Sequence, residues 1–151
     1  MLGYFGYQIR FMLSRLVYKS KRVLPFGEMQ IDEILTLAHR NNSELDITGI
    51  LLYDKLNFVQ YLEGPAEHLN FLFEKLKVDA RHTQVRSIMF GPAKRRLFPS
   101  WVMAARQISE ISAKFQTEVS AEERTVFDYL LTEDYLPEDR ALLYIKHFVS
   151  R

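Results

Sequence analysis

Thr48-Gly49-Ile50-Leu51-Leu52-Tyr53-Asp54-Lys55-Leu56-Asn57-Phe58-Val59-Gln60-Tyr61-Leu62-Glu63-Gly64-Pro65 is the stretch from which the fold can be read. Two apolar runs, Thr48–Tyr53 and Phe58–Glu63, are separated by a short polar break, which predicts a hairpin. Gly64-Pro65 stops the second run, and a proline near the first helical position starts a helix. The apolar stripe of that helix is Leu69, Leu72, Phe73 and Leu76. Upstream, Arg15–Ser20 alternates, with Leu16, Tyr18 and Ser20 on one face and Arg15, Val17 and Lys19 on the other. This is a strand pattern. A Pro25–Gly27 turn then leads to Ile31, Ile34, Leu35 and Ala38, one helical stripe, with the helix expected to fray at Asn41-Asn42. Downstream, Gln84–Phe90 reads as a fourth strand. Trp101–Ala105 reads as a fifth, beyond a basic loop, Lys94-Arg95-Arg96, expected to be solvated. The order is β-α-β-β-α-β plus one strand, an α+β ferredoxin-like sandwich with both helices on one sheet face.

The other face needs a cover. Ser120 and Glu123 have the spacing of a capping box, and Phe127, Leu130 and Leu131 follow at helical intervals. A second helix after Pro137 carries Leu142, Ile145, Phe148 and Val149. These two amphipathic helices cover the open face or pair with another copy of the chain. Charge marks the same boundary: residues 1–109 hold 15 basic and 10 acidic side chains, residues 110–140 hold 3 and 9. The expected organisation is an N-terminal arm or upstream start over 1–14, a module over 15–106, and an acidic helical C-terminal cap over 107–151. Met1–Phe11 has no charged leader and no small-residue cleavage site, so it does not read as a signal peptide.

Composition limits the function. With 151 residues, 48% apolar and 26% charged, the chain suits one globular domain of the soluble kind. Cysteine is absent, which excludes disulfides, thiolate zinc sites and cysteine nucleophiles and fits a reducing cytoplasm. A formal charge of +1 predicts no global attraction to nucleic acid or anionic lipid. No apolar run approaches the roughly 20 residues of a membrane span. His39, His68, His82 and His147 show no paired spacing for a metal. A dinucleotide glycine motif, a P-loop and a serine nucleophile elbow are all missing. Asp32-Glu33 and Glu122-Glu123 read as solvated helix faces. The topology is also that of an RNA-recognition domain, and Phe58-Val59-Gln60-Tyr61 imitates the end of its signature. Asp54–Asn57, however, lacks the aromatic and the glycines which that signature requires.

Polar residues remain where an apolar sheet does not want them. Tyr18 lies beside Leu16, and Gln60 lies between Phe58 and Leu62. If these faces look toward the helices, a phenol and an amide are buried together and need partners. They bond each other or backbone, or they join Asn42 in lining a slot for a flat heterocycle of mixed edge polarity.

At these residues the chain is similar to the BLUF family, the blue-light sensors using flavin. The resemblance runs from about Arg15 to Arg106. It is carried by Leu16-Val17-Tyr18-Lys19-Ser20, Asn41-Asn42 with Ile47-Thr48-Gly49, and Phe58-Val59-Gln60-Tyr61-Leu62-Glu63-Gly64. Asp79-Ala80-Arg81-His82 and Arg95-Arg96-Leu97-Phe98-Pro99-Ser100-Trp101-Val102-Met103 complete the set. The resemblance implies noncovalent FAD between the two helices and the sheet, with Tyr18 the photoactive tyrosine and Gln60 the switching glutamine. It further implies that Asn42 bonds the flavin's pyrimidine edge, with Asn41, Arg81 and His82 as cofactor neighbours. Trp101 and Met103 match a fifth-strand pair that relays the signal. Two departures stand out: the hairpin lacks the glycine the family often uses, and the N-terminal arm is longer than the family needs. The expectation is a non-enzymatic photoreceptor in the cytoplasm. It would signal through its fifth strand and terminal helices to a partner protein or a homo-oligomer, a dimer or larger. The alternative is a ferredoxin-like flavoenzyme reducing a small substrate, for which no nicotinamide motif is visible.

Overall fold

A computed structural model of the chain describes residues 10–23, 28–99, 103–108 and 118–149. The elements are β1 (Leu13–Arg22), α1 (Glu28–Glu44), β2 (Thr48–Tyr53), β3 (Asn57–Pro65), α2 (Ala66–Lys77), β4 (His82–Pro92), β5 (Ala104–Gln107), α3 (Glu118–Thr132) and α4 (Glu138–Val149). They form one five-stranded sheet in the order β4-β1-β3-β2-β5. The first four strands pair antiparallel, and β5 lies parallel to β2 at the edge. This is the ferredoxin-like α+β arrangement with a fifth strand added. The expected Pro25–Gly27 turn falls outside the described residues.

Side chains alternate across a strand, so each strand feeds two cores. Leu16 and Tyr18 of β1 join Leu51, Phe58 and Leu62 on the face covered by α1 and α2, together with Ile31, Leu69 and the expected stripe residues Leu72, Phe73 and Leu76. Val17, Ile50, Leu52, Val59 and Tyr61 join Ile88 on the opposite face. There they meet Phe127 and Leu130 of α3, Leu136, and Ala141, Ile145 and Phe148 of α4. The terminal helices therefore cover the second face of their own sheet. Complete burial of such apolar side chains contributes roughly 1.5–3 kcal/mol each. In α4 Ala141 is buried next to the expected Leu142, which is half-buried, while Ile145 and Phe148 are buried as expected and Val149 packs against the core.

The hairpin closes without glycine. Asp54 Oδ1 accepts hydrogen bonds from the amides of Leu56 and Asn57, at 2.9 and 2.7 Å, and its own amide donates to the Asn57 carbonyl. An aspartate that caps its own turn replaces the backbone freedom a glycine would supply. Glycine is needed instead at Gly49, where a Cβ would stand 2.0 Å from the Tyr61 carbonyl oxygen of the paired strand.

Local expectations needed correction at several places. α1 does not end at Asn41-Asn42 but runs on to Glu44, and Ile47 N bonds the Asn42 carbonyl at 2.9 Å. Pro65 stands where expected, ending β3 opposite Leu13 and forming the N-cap immediately before Ala66 of α2. The fifth strand runs over Ala104–Gln107, two residues beyond the expected end at Ala105, and Met103 precedes it, while Trp101 and Val102 lie outside the described residues. α3 is described from Glu118, after residues outside the described ones, so Ser120 falls within the helix and not before it. Glu123 is buried and bonded to Arg106, a charged donor that outcompetes a backbone amide and removes Glu123 from any solvated face.

Nor is the basic loop solvated at Arg96, which donates to Thr48 Oγ1 and to the Asp46 and Glu63 carbonyls. Behind it Glu63 is wholly buried. Its carboxylate accepts from the Tyr61 hydroxyl at 2.6 Å and from the amides of Leu97 and Phe98 at 2.9 and 2.6 Å. Arg15 completes the cluster, donating to the Tyr61 hydroxyl, the Arg95 carbonyl and Glu138. Burial, and then the hydrogen bond to Glu63, drive the Tyr61 phenol far above its ordinary pKa.

Candidate functional site

Tyr18 and Gln60 are direct register partners on β1 and β3, and both turn toward α1 and α2. Each is almost wholly buried, at 3% and 5% exposure. The Tyr18 hydroxyl donates to Gln60 Oε1 in a short hydrogen bond. The opposite end of the amide, Nε2, donates to Met103 Sδ at 3.2 Å. Gln60 is thus held at both ends, by an acceptor role toward a phenol and a donor role toward a thioether. The phenol is strongly protonated: burial, and behind it the negative charge of Asp79, raise its pKa far above the ordinary value.

A cavity of about 210 Å³ opens beside this pair, between the sheet and the two helices. Ile34, Leu51, Phe58 and Leu72 give it apolar walls, while Tyr18, Gln60, Asn41, Asn42, Arg81 and His82 supply polar ones. The six residues singled out from sequence for photochemistry and cofactor contact are therefore brought to one cavity. Met103 reaches it through Gln60. Trp101 lies outside the described residues, and Met103 immediately precedes β5.

Asn42 carries the test of what the cavity suits. It sits in the last turns of α1 at 1% exposure, and neither Nδ2 nor Oδ1 has a hydrogen-bond partner. A buried amide with both ends unsatisfied costs about 1–3 kcal/mol for each group left unpaired. A planar ring carrying a donor and an acceptor on one edge would satisfy both. That is the chemistry of the flavin pyrimidine edge, so the residues present fit the group.

Arg81 and His82 are held by their neighbours. The Arg81 guanidinium forms a two-pronged pair with Asp79, Nη2 to Oδ2 at 2.6 Å and Nε to Oδ1 at 3.0 Å. That hydrogen bonding keeps the Asp79 carboxyl below its usual range and Arg81 above its own. His82 Nε2 donates to the Leu76 carbonyl at 2.7 Å, which leaves Nδ1 to accept from the Ser20 hydroxyl at 2.8 Å. Burial lowers the ring's pKa below the ordinary 6.5, against the opposing pull of the Leu76 bond, and this favours the neutral ring in which Nδ1 accepts. Its plane stands edge-on to Tyr18 and Phe58, at centroid distances of 6.3 and 6.0 Å. Ser20 and Asp79 were not singled out for this site. The shared face of Leu16, Tyr18 and Ser20 was the available signal for Ser20, and the spacing to Arg81 was the one for Asp79.

Among the described residues no helix is long and apolar enough to cross a membrane. Comparison with known proteins agrees with the geometry. A family model described as sensors of blue-light using FAD, BLUF, matches residues 13–104. The photoactivated adenylate cyclase subunit beta of Euglena longa is 31% identical over 125 residues, covering 83% of this chain and 14% of that protein. The blue light- and temperature-regulated antirepressor of Escherichia coli is 30% identical over 139 residues, covering 91% of this chain and 33% of that one. The chain thus spans a third or less of the length of these curated relatives. The dark-state structure of the BLUF protein BlrB superposes with a TM-score of 0.73 at 29% identity, covering 93% of this chain and 98% of that one. With the fold, the matched module and these relatives in agreement, the chain belongs to the BLUF family, sensors of blue light using FAD.

Proposed function

We propose that this chain is a blue-light photoreceptor that binds FAD in the Tyr18–Gln60 cavity and signals by rearranging the hydrogen bonds of that pair. The observation that carries the reading is the Tyr18–Gln60 hydrogen bond standing beside the unsatisfied Asn42 amide in one cavity. Asn42 would hold the cofactor's polar edge, with Asn41, Arg81 and the His82 ring around it, and the apolar walls would exclude water. When bound, the flavin supplies blue absorption and an excited state that accepts an electron. Tyr18 is the residue able to give up that electron, and its proton already has an acceptor in Gln60 Oε1. Once the electron and the proton have returned to Tyr18, Gln60 is left with its donor and acceptor ends exchanged, by rotation or tautomerism, with no net change in charge or oxidation state. The exchange breaks its present bond to Met103, so Met103 repacks and passes the event to β5 and the terminal helices. Relatives that carry a cyclase or act as an antirepressor support an output delivered to a separate effector, through a partner protein or a homo-oligomer.

The visible spectrum before and after blue light tests this. Purified protein should be yellow, and light should produce a small red shift that reverses in darkness. Tyr18→Phe should keep the flavin, because the ring volume survives, and lose the shift. Gln60→Leu should do the same. A colourless protein that takes up no flavin overturns the reading, and so does a Tyr18→Phe variant that switches normally.

A further inference from the structure

Glu123 and Arg124 are consecutive residues of α3, yet they stand on different supports. Glu123 is bonded through both carboxylate oxygens to Arg106 of β5, one of these contacts being Nε to Oε2 at 3.4 Å. Arg124 Nη1 donates to Asp54 Oδ2 in the β2–β3 turn at 2.9 Å. Both acids are buried, at 8% and 6% side-chain exposure, so these are not solvated surface pairs. The far end of the helix rests on β1, where Lys19, the residue after Tyr18, donates to the Leu131 carbonyl at 2.7 Å.

The supports differ in stiffness. The Asp54 turn is tied by its own hydrogen bonds, and Arg22 Nη1 donates to the Asp54 carbonyl at 2.8 Å. β5 is a four-residue edge strand that, among the described residues, pairs only with β2. It follows directly on Met103, which receives the Gln60 amide hydrogen bond. A change at Gln60 therefore reaches the weaker support first. If β5 moves while the Asp54 turn stays, two adjacent residues of one helix are pulled unequally, and the helix must turn.

We infer that Arg106 is the positioning residue that couples β5 to α3, with the Asp54–Arg124 pair as the fixed point about which α3 turns. This rests on the photoreceptor reading above and names the element through which its signal leaves. A static chain of contacts is not coupling, so the test must measure coupling itself.

The experiment uses the full chain loaded with flavin. Wild type, Arg106→Gln, Glu123→Gln, the double variant and the charge swap Arg106→Glu with Glu123→Arg are compared. Each is measured for its red shift and for light-minus-dark hydrogen exchange over 118–132. All should keep the flavin and the red shift. Each single variant should reduce the light-induced difference in α3 at least about twofold. The double variant should lose no more than either single one, and the swap should restore the difference. A merely structural pair would raise exchange in dark and light alike and leave the difference intact. Arg106→Gln with a wild-type difference overturns the inference, as do single effects that simply add. If wild type shows no red shift, the photoreceptor reading itself fails. If it shows the shift but no difference in α3, the coupling alone fails.

Discussion

At the scale of single residues, Asn42 and His82 report on the cavity from opposite sides. Asn42 has two polar atoms that the protein leaves unsatisfied, so it is costly to the fold and useful only toward a ligand. Asn42→Leu should therefore weaken flavin binding while leaving the apoprotein as stable as wild type, or more stable by about 1–3 kcal/mol. Flavin titration and thermal melts of the apoprotein check the two halves. His82 is fully satisfied as a neutral ring, and its folded pKa is lowered. The unfolded chain thus binds a proton that the folded one resists. Its contribution is complete above the ordinary value near 6.5 and falls as the pH drops through that value toward the lowered one. Asp79 and Arg81 face the ring with opposite charges, so burial decides the sign. The urea midpoint should be lower at about pH 5.5 than at about pH 8, and His82→Gln should flatten that slope.

At the scale of elements, Met103 is where the pocket meets the fifth strand. Met103→Ala should keep the flavin and most of the red shift while the light-induced exchange differences over 118–149 largely vanish. An ordinary core role predicts only a loss of stability of about 2–5 kcal/mol. Equal light-induced differences in the two proteins would remove Met103 from the relay. The elements themselves were legible because alternation and helical stripes are local: Leu16, Tyr18 and Ser20 declare a strand face without help from the rest of the chain. Tyr18, Gln60 and Asn42 were legible as a site because each is polar on an apolar face. The ends of elements were less so. β5 lies where β2 offers an edge, and α1 continues past Asn42 through the exposed Ser43 and Glu44, which carry no apolar stripe to announce it. Least legible were Glu63, Arg15, Arg96 and Glu123. Nothing local marks these charges as buried or half-buried, because each has a partner lying 17 to 123 residues away in the chain.

At the scale of the whole molecule, α3 and α4 complete the sheet. Phe127, Leu130, Leu136, Ile145 and Phe148 are almost wholly buried against it. A chain ending at residue 109 would uncover that core, and at roughly 1.5–3 kcal/mol per side chain it should lose most of its stability. It is expected to aggregate, whereas the full chain should run in light scattering as a dimer or larger assembly of defined size. A truncated chain that stays monomeric and cooperatively folded would refute this. The partition of one sheet between two cores has a final consequence, because the same strands wall the flavin chamber and floor the terminal helices. Thermodynamic linkage is reciprocal: whatever the chamber does to the far face, a molecule bound to that face does to the chamber. A partner that prefers the illuminated form must narrow the free-energy gap between the two forms by its own preference, even without touching the cofactor. The colour of the protein would then double as an assay for any partner that docks on the far face, the ligand on one side of the sheet and the dye that reveals it on the other.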